Sequence, residues 1–85
     1  METPENIKEL LDNMPATINV NDIVGILIIR KYNSNYLTYS VEYLGDDNMP
    51  LDVEVASGGH EYAISIGNEL GECLIDLKER IKKYI

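Results

Sequence analysis

The middle of this chain lacks positive charge. From Tyr32 to Leu77 the sequence has no Lys or Arg but has nine carboxylates, and all seven basic residues lie outside that segment. The formal net charge of the 85 residues is −8. A field of this sign repels nucleic acid and anionic membranes and attracts basic surfaces. We therefore expect a basic protein as the partner, and neither direct binding of nucleic acid nor binding to a membrane.

Other residue types are also scarce. The chain has no Trp and no Phe, so its six tyrosines are the only aromatic side chains large enough to anchor a core or an interface. The single cysteine, Cys73, excludes an intrachain disulfide and favours a reducing cytoplasm. The acidic N-terminal segment does not resemble a signal peptide, and the longest apolar run, 23–29, is too short to span a bilayer. The length predicts one domain, residues 1–85.

Two segments have the periodicity of amphipathic helices. Thr3-Pro4-Glu5 supplies a capping residue, a proline suited to the first helical position and an acidic group at the positive end of the helix dipole. The apolar stripe that follows predicts a helix over about residues 4–13, which Pro15 ends. A second stripe, acidic early and basic late, predicts a helix over about residues 69–83 with Asn68 as its cap.

The residues between the helices have the character of strands. Ile23 to Tyr32 is rich in β-branched residues and predicts a strand buried on both faces. Tyr36 to Leu44 and Leu51 to Ala56 alternate, and Gly58-Gly59 suits a tight hairpin loop before a fourth strand. The expected cross-strand pairs are Ile28–Val41, Ile26–Tyr43, Val55–Tyr62, Val53–Ile64 and Leu51–Ile66. The predicted fold class is α+β, a small antiparallel four-stranded meander in the order α-β-β-β-β-α with both terminal helices on one face.

In this arrangement the sheet face away from the helices is acidic. It carries four carboxylates on three neighbouring strands, with two more at its rim. These residues are Glu42, Asp52, Glu54 and Glu61 on the strands, and Asp46 and Asp47 at the rim. With strands about 4.8 Å apart and same-face residues about 6.5–7 Å apart, the predicted spacings are similar to those between phosphates. One interpretation is a solvated face that keeps the sheet soluble; the other is a surface for a basic partner.

The remaining candidates are single residues. Tyr36, beside the first hairpin turn, is a candidate for partner binding because tyrosine is large, rigid and amphipathic. His60 is the only histidine and lacks the neighbouring ligands of a metal site. Cys73 lies on the apolar stripe of the last helix and is expected to be a buried thiol. No segment supplies a nucleophile with an oriented base or a phosphate-binding loop, so we expect neither an enzyme nor a cofactor.

In size, acidity and α+β composition the chain resembles small phage-encoded inhibitors, including anti-CRISPR and anti-restriction proteins that mimic nucleic acid. This resemblance implies an inhibitor or regulator that occludes the basic nucleic-acid-binding surface of a partner protein. In outline the chain is also similar to bacterial immunity proteins and antitoxins. The further alternative is a self-associating structural subunit, a homodimer or assembly adaptor, that pairs through the outer sheet face or through a sheet edge at residues 36–44.

Overall fold

Two helices and six short strands make up the computed structural model, which describes residues 3–85. The helices are α1 (Pro4–Asp12) and α2 (Leu70–Arg80), and a 3-10 turn follows at Lys82–Tyr84. The strands are β1 (Thr17–Val20), β2 (Ile23–Asn33), β3 (Leu37–Leu44), β4 (Asp52–Glu54), β5 (His60–Tyr62) and β6 (Ile64–Gly67). Both helices lie close to where the sequence predicts them, and the predicted α+β class is confirmed. The predicted cap of α2, Asn68, is wrong, because the N-cap is Glu69 and makes no side-chain capping bond.

The main sheet is antiparallel, four-stranded and ordered β1-β2-β3-β6. Its first strand, β1, was not predicted, because four residues between a proline and a turn give a weak pattern. The Asn21-Asp22 loop joins β1 to β2 with positive φ at both residues, which is the backbone of a tight hairpin turn. Strands β4 and β5 form a separate two-stranded hairpin. The number of strands in the sheet was therefore predicted correctly, but one of its members was not.

The β2–β3 hairpin has a different register from the predicted one. Asn33 pairs with Leu37, so the loop has three residues and not two. Val41 consequently lies opposite Ile29, and Tyr43 lies opposite Leu27. A shift of one residue turns every side chain of a strand to the other face. The expected partners Ile26 and Ile28 therefore point away from the core, and the prediction that β2 is buried on both faces is wrong.

The pairing of β3 changes at its C-terminal end, where a second segment of the chain is inserted. The Tyr43 amide donates to the Ala63 carbonyl, while the Leu51 amide donates to the Tyr43 carbonyl and the Ala63 amide to the Leu51 carbonyl. Leu51 is thus inserted between β3 and the segment that leads into β6, and the β4–β5 hairpin diverges from the sheet. In that hairpin Val53 pairs with Glu61, and not with Ile64 as predicted, because the loop spans five residues, 55–59.

The core lies between the helices and one face of the sheet. Val41 and Tyr43 of β3 are fully buried there, as are Leu77 of α2 and Ile81 after it. Gly25 explains the interruption of the apolar run in β2, since a Cβ at this position would lie 2.3 Å from Leu51 Cδ1. The complete buried cluster is Met14, Ile18, Val20, Val41, Tyr43, Leu51, Val53, Ala63, Cys73, Leu74, Leu77 and Ile81.

Tyr43 links this core to the end of α1. Its hydroxyl donates to the Pro15 carbonyl at 2.8 Å, and burial raises the pKa of Tyr43 to about 12. The bond fixes the segment between α1 and β1 against the central strand.

We expect Tyr43→Phe to lower the free energy of unfolding by about 1–2 kcal/mol, because the partly buried Pro15 carbonyl loses its donor. The raised pKa stabilises the folded state fully below about pH 10, and this contribution is lost as the pH rises towards 12. The stability difference between wild type and variant should therefore shrink above pH 10. Urea unfolding measures it, with Tyr36→Phe at an exposed position as the control. Equal stability of both variants at neutral pH would contradict this role.

Candidate binding surface

One face of the main sheet is left uncovered by the helices. Register alternation places the odd-numbered residues of β2 and β3 towards the core and the even-numbered residues on the opposite face. We term the opposite surface the apolar face. It is defined by Val24, Ile26, Ile28, Tyr32, Ile64 and Ile66.

Four of the six side chains that define this face are exposed, whereas Ile28 and Ile64 are partly buried. Ile66 is 64% exposed, Ile26 54% and Val24 53%, and Tyr32 is half exposed. Isolated exposed apolar residues are common, but these lie on one surface of the sheet, on β2 and on β6, with β3 between the two strands. A contiguous apolar patch with a polar rim is typical of a protein interaction site. This patch was not predicted from the sequence, because the predicted register assigned Ile26, Ile28, Ile64 and Ile66 to the core.

An ion pair between a buried carboxylate and a half-exposed guanidinium lies in the middle of the apolar face. Glu42 of β3 is only 4% exposed, between Ile28 on one side and Ile64 on the other. Arg30, diagonally across the strands, brings its guanidinium to 3.6 Å from the carboxylate. A hydrogen bond with Tyr32, together with the charge of Glu42, raises the pKa of Arg30 above its ordinary value. The expectation that Glu42 points freely to solvent is therefore wrong.

The other predicted strand carboxylates do not lie on the sheet face. Asp52, Glu54 and Glu61 belong to the β4–β5 hairpin. Glu61 lies 3.3 Å from Arg80, which also contacts Asp76 at 3.4 Å. These contacts neutralise charge that looks unrelieved in the sequence, because the chain returns its basic C-terminal residues to the hairpin. The predicted lattice of carboxylates on the sheet is therefore wrong.

The hairpin is attached to the C-terminal end of the chain by polar contacts. Lys83 pairs with Glu54, and the Glu54 amide donates to the Tyr84 hydroxyl at 3.0 Å. His60 Nδ1 lies 3.2 Å from Asp52 Oδ1 on the outward side of the hairpin. These contacts give the predicted acidic residues a structural role.

The rim residues border an open hollow of about 340 Å³ at one end of the sheet. Asp46 and Asp47 are exposed in the turn after β3, where Asp47 Oδ1 accepts the Met49 amide at 3.0 Å. Asp52 and Tyr62 line the same hollow. The predicted pairing of Tyr62 with Val55 is wrong, because Tyr62 pairs with Asp52 and is 62% exposed.

Three further predictions concern single residues. Tyr36 lies in the β2–β3 loop and is 75% exposed, so it is accessible to a partner. Cys73 is buried in α2, as predicted. Within residues 3–85, no group of three or more His, Cys, Asp or Glu side chains is arranged to hold a metal ion. Among the helices of the same residues, none is long and apolar enough to cross a membrane.

No protein-family model matches the chain, and no curated protein or solved structure shows significant similarity to it.

The Lys83–Glu54 pair predicts a change of stability with pH. The hydrogen bond and charge of Lys83 hold the pKa of Glu54 below its ordinary value of 4.5. A lowered pKa stabilises the folded state above about pH 4.5, and this contribution is lost as the pH falls further. We expect the melting temperature of wild type to exceed that of Glu54→Gln at neutral pH, with a difference that shrinks below pH 4.5. In a Lys83→Met background the substitution should have no such pH dependence; an unchanged dependence would contradict the pairing.

The Arg30–Glu42 pair predicts a second stability effect. Arg30→Met should lower the melting temperature because it leaves the buried Glu42 carboxylate without its partner. The double variant Arg30→Met, Glu42→Leu should recover most of the loss, since both polar groups are then replaced by apolar ones of similar size. A double variant less stable than Arg30→Met alone would show that the pair is not the source of the effect.

Proposed function

We propose that this chain is a non-catalytic protein-binding module that contacts its partner through the apolar face. The observation that carries this proposal is the exposure of Val24, Ile26 and Ile66 on one side of a sheet whose other side holds the core. Fully burying an aliphatic side chain of this size contributes roughly 1.5–3 kcal/mol. A partner that covered the patch would therefore gain a substantial part of its binding free energy there.

The composition of the patch also supports a protein partner. Its centre combines aliphatic side chains with the Arg30–Glu42 ion pair, which is satisfied within the chain. Tyr32 and Thr38 add groups with hydrogen-bonding capacity at one end. An apolar centre with a polar margin is the usual anatomy of a protein interface.

The net charge of −8 favours a second candidate, a basic partner such as a nucleic-acid-handling enzyme that the chain inhibits or regulates. Asp46, Asp47 and Asp52 are exposed beside Tyr62 and Met49, in an arrangement suited to Lys and Arg side chains. This candidate no longer has the support of a phosphate-like lattice, because Glu42, Glu54 and Glu61 are paired. An immunity-protein or antitoxin role would use the same chemistry. The single buried cysteine supports the cytoplasm as the proposed location.

Site-specific photo-crosslinking in cells tests the leading proposal. A benzophenone side chain at position 26 should give adducts of defined mass with an identifiable protein. The same group at position 75, which is equally exposed but on α2, should not. Introducing Ile66→Lys should abolish the adducts at position 26 if they depend on the apolar face. Equal adducts at both positions, or none at position 26, would overturn the proposal.

The second candidate is tested by neutralising the rim. Asp46→Asn, Asp47→Asn, Asp52→Asn should slow the association with a basic nucleic-acid enzyme captured from host lysate, and raised salt should weaken the wild-type complex. Capture that neither change affects would leave the acidic residues with a role in solubility. The matched control is the amide substitution of the three α1 carboxylates Glu5, Glu9 and Asp12, which lie on another part of the chain.

A further inference from the structure

We propose that one edge of β2 binds an extended segment of another protein as an additional strand of the main sheet. The site is the side of β2 that faces away from β3 at residues 29–33, and we term it the open edge. It is formed by backbone groups and is separate from the apolar face, so this inference goes beyond the function proposed above.

The open edge exists because β1 is much shorter than its neighbour. Strand β2 has 11 residues and β1 has 4, which pair with residues 23–26. One further bond, from the Leu27 amide to the Ala16 carbonyl, ends this pairing. On its other side β2 pairs with β3 as far as Asn33. Over residues 29–33, β2 is therefore paired on one side only.

The segment before β1 leaves the sheet and does not complete this edge. Continued register would place Met14 opposite Ile29, but the Met14 amide donates to the Leu11 carbonyl at the end of α1. The next carbonyl, that of Pro15, accepts the Tyr43 hydroxyl at 2.8 Å. Both bonds turn the segment away from β2, so the edge stays open in the folded chain.

The hydrogen bonds of β3 establish which backbone groups of β2 face the open edge. The amide and carbonyl of Tyr43 bond to Ala63 and Leu51, on the side away from β2. Its partner Leu27 therefore directs its own groups away from β3, as the bond to Ala16 shows. Successive residues of an antiparallel strand alternate in this respect. The residues that direct their amides and carbonyls to the open edge are accordingly Ile29, Lys31 and Asn33.

No other part of the described chain covers these groups. Within residues 3–85, no strand pairs with them and no hydrogen bond from another element reaches them. Ile29 alternates to the side of the core, yet it is 40% exposed, and every residue from 30 to 33 is exposed. A row of unpaired amides and carbonyls is a template for another strand, and extended peptides bind sheet edges in this way.

The side chains at the open edge select the chemistry of the partner segment. Ile29 and Lys31 lie on the same side of β2. Lys31 makes no ion pair in the described part of the chain, whereas Arg30 on the other side is paired with Glu42. An opposite charge directly across from a lysine stabilises a strand pair, and a like charge destabilises it. The partner residue opposite Lys31 is therefore Asp or Glu, and the residue opposite Ile29 is aliphatic.

An antiparallel segment, which continues the pairing of the sheet, then has a defined pattern. The strands run in opposite directions, so the residue opposite Ile29 comes two positions after the residue opposite Lys31. The segment has an acidic residue, a residue with strand propensity and then an aliphatic residue, within about five extended residues. Because the chain has a net charge of −8, the flanks of the segment are neutral or basic.

A second copy of the chain does not suit this edge. About a two-fold axis, pairing of residues 29–33 with themselves sets Lys31 directly opposite Lys31, and the neighbouring register sets Arg30 opposite Arg30. Both arrangements place like charges across the strands, and lysine is a common protection of edges against such pairing. Residues 39–42 of β3, part of the edge considered for self-association, already pair with β6. The occupant of the open edge is therefore a segment of a different protein.

Amide hydrogen exchange followed by NMR tests the open edge and its ligand. The probe is the peptide acetyl-Lys-Thr-Thr-Glu-Thr-Ile-Thr-Lys-amide, which places its Glu opposite Lys31 and its Ile opposite Ile29. Without peptide, the amides of Ile29 and Lys31 should exchange fast, and that of Arg30, which bonds to β3, slowly. For a dissociation constant of about 1 mM, about 5 mM peptide should slow exchange at Ile29 and Lys31 by about fivefold.

Two controls separate backbone pairing from charge. N-methylation of the Glu and Ile amides of the peptide, which face β2 in the proposed ladder, should abolish binding. Lys31→Glu should raise the dissociation constant of the peptide by about tenfold and favour a peptide with Lys in place of Glu. Lys82→Glu makes the same change at an exposed lysine after α2 and should leave the dissociation constant unchanged. Thermal unfolding verifies that each variant remains folded.

The outcomes also separate this inference from the proposed function. Slow exchange of Ile29 and Lys31 without peptide, exchange that the peptide does not change, or equal binding of the methylated peptide would each overturn the inference. Ile66→Lys, on the apolar face, should leave peptide binding unchanged. If the open edge binds no peptide but position 26 still crosslinks, the proposed function stands. If the peptide binds and position 26 gives no crosslink, only the function of the apolar face is wrong.

Discussion

A four-stranded sheet has two faces, and the two short helices of this chain cover only one of them. The helices have 9 and 11 residues, and both pack on the side of the sheet that carries Val41 and Tyr43. The isoleucines of β2 and β6 that alternate away from that side remain in contact with solvent. The exposed patch and the binding function proposed for it both follow from this constraint.

The elements that depend on local chemistry were predicted well. Thr3, Pro4 and the apolar stripe after them specify α1, and the Thr3 hydroxyl indeed accepts the Asn6 amide at 3.2 Å. The order of acidic and then basic residues along α2 likewise favours a helix through a local interaction, the one with the helix dipole. In the sheet, by contrast, a single extra residue in the β2–β3 loop changed which face every side chain of β2 occupies. Strand patterns rich in isoleucine on both faces do not determine the register, because either register buries apolar side chains.

The pattern of charges along the sequence shows how acidic the middle of the chain is, but it does not show where those charges lie on the folded surface. The segment without Lys or Arg is acidic in sequence, yet Arg80 and Lys83 reach its hairpin residues Glu61 and Glu54 from more than 18 residues away. Arg30 of β2 contacts Glu42 on the neighbouring strand β3. A run of like charges along the chain therefore does not establish a run of like charges on the surface. Asp46 and Asp47 kept their predicted exposure because they lie in a turn rather than opposite another element.

The central claim is that a single copy of the chain leaves the apolar face open and that a second protein surface closes it. Methyl NMR of isoleucine-labelled protein with a soluble paramagnetic agent, recorded over a dilution series, tests this most directly. The signals of Ile26 and Ile66 should be broadened in dilute samples as strongly as the signal of Ile75. Protection of Ile26 and Ile66 at every concentration would show that the chain covers the face itself, and would contradict the claim.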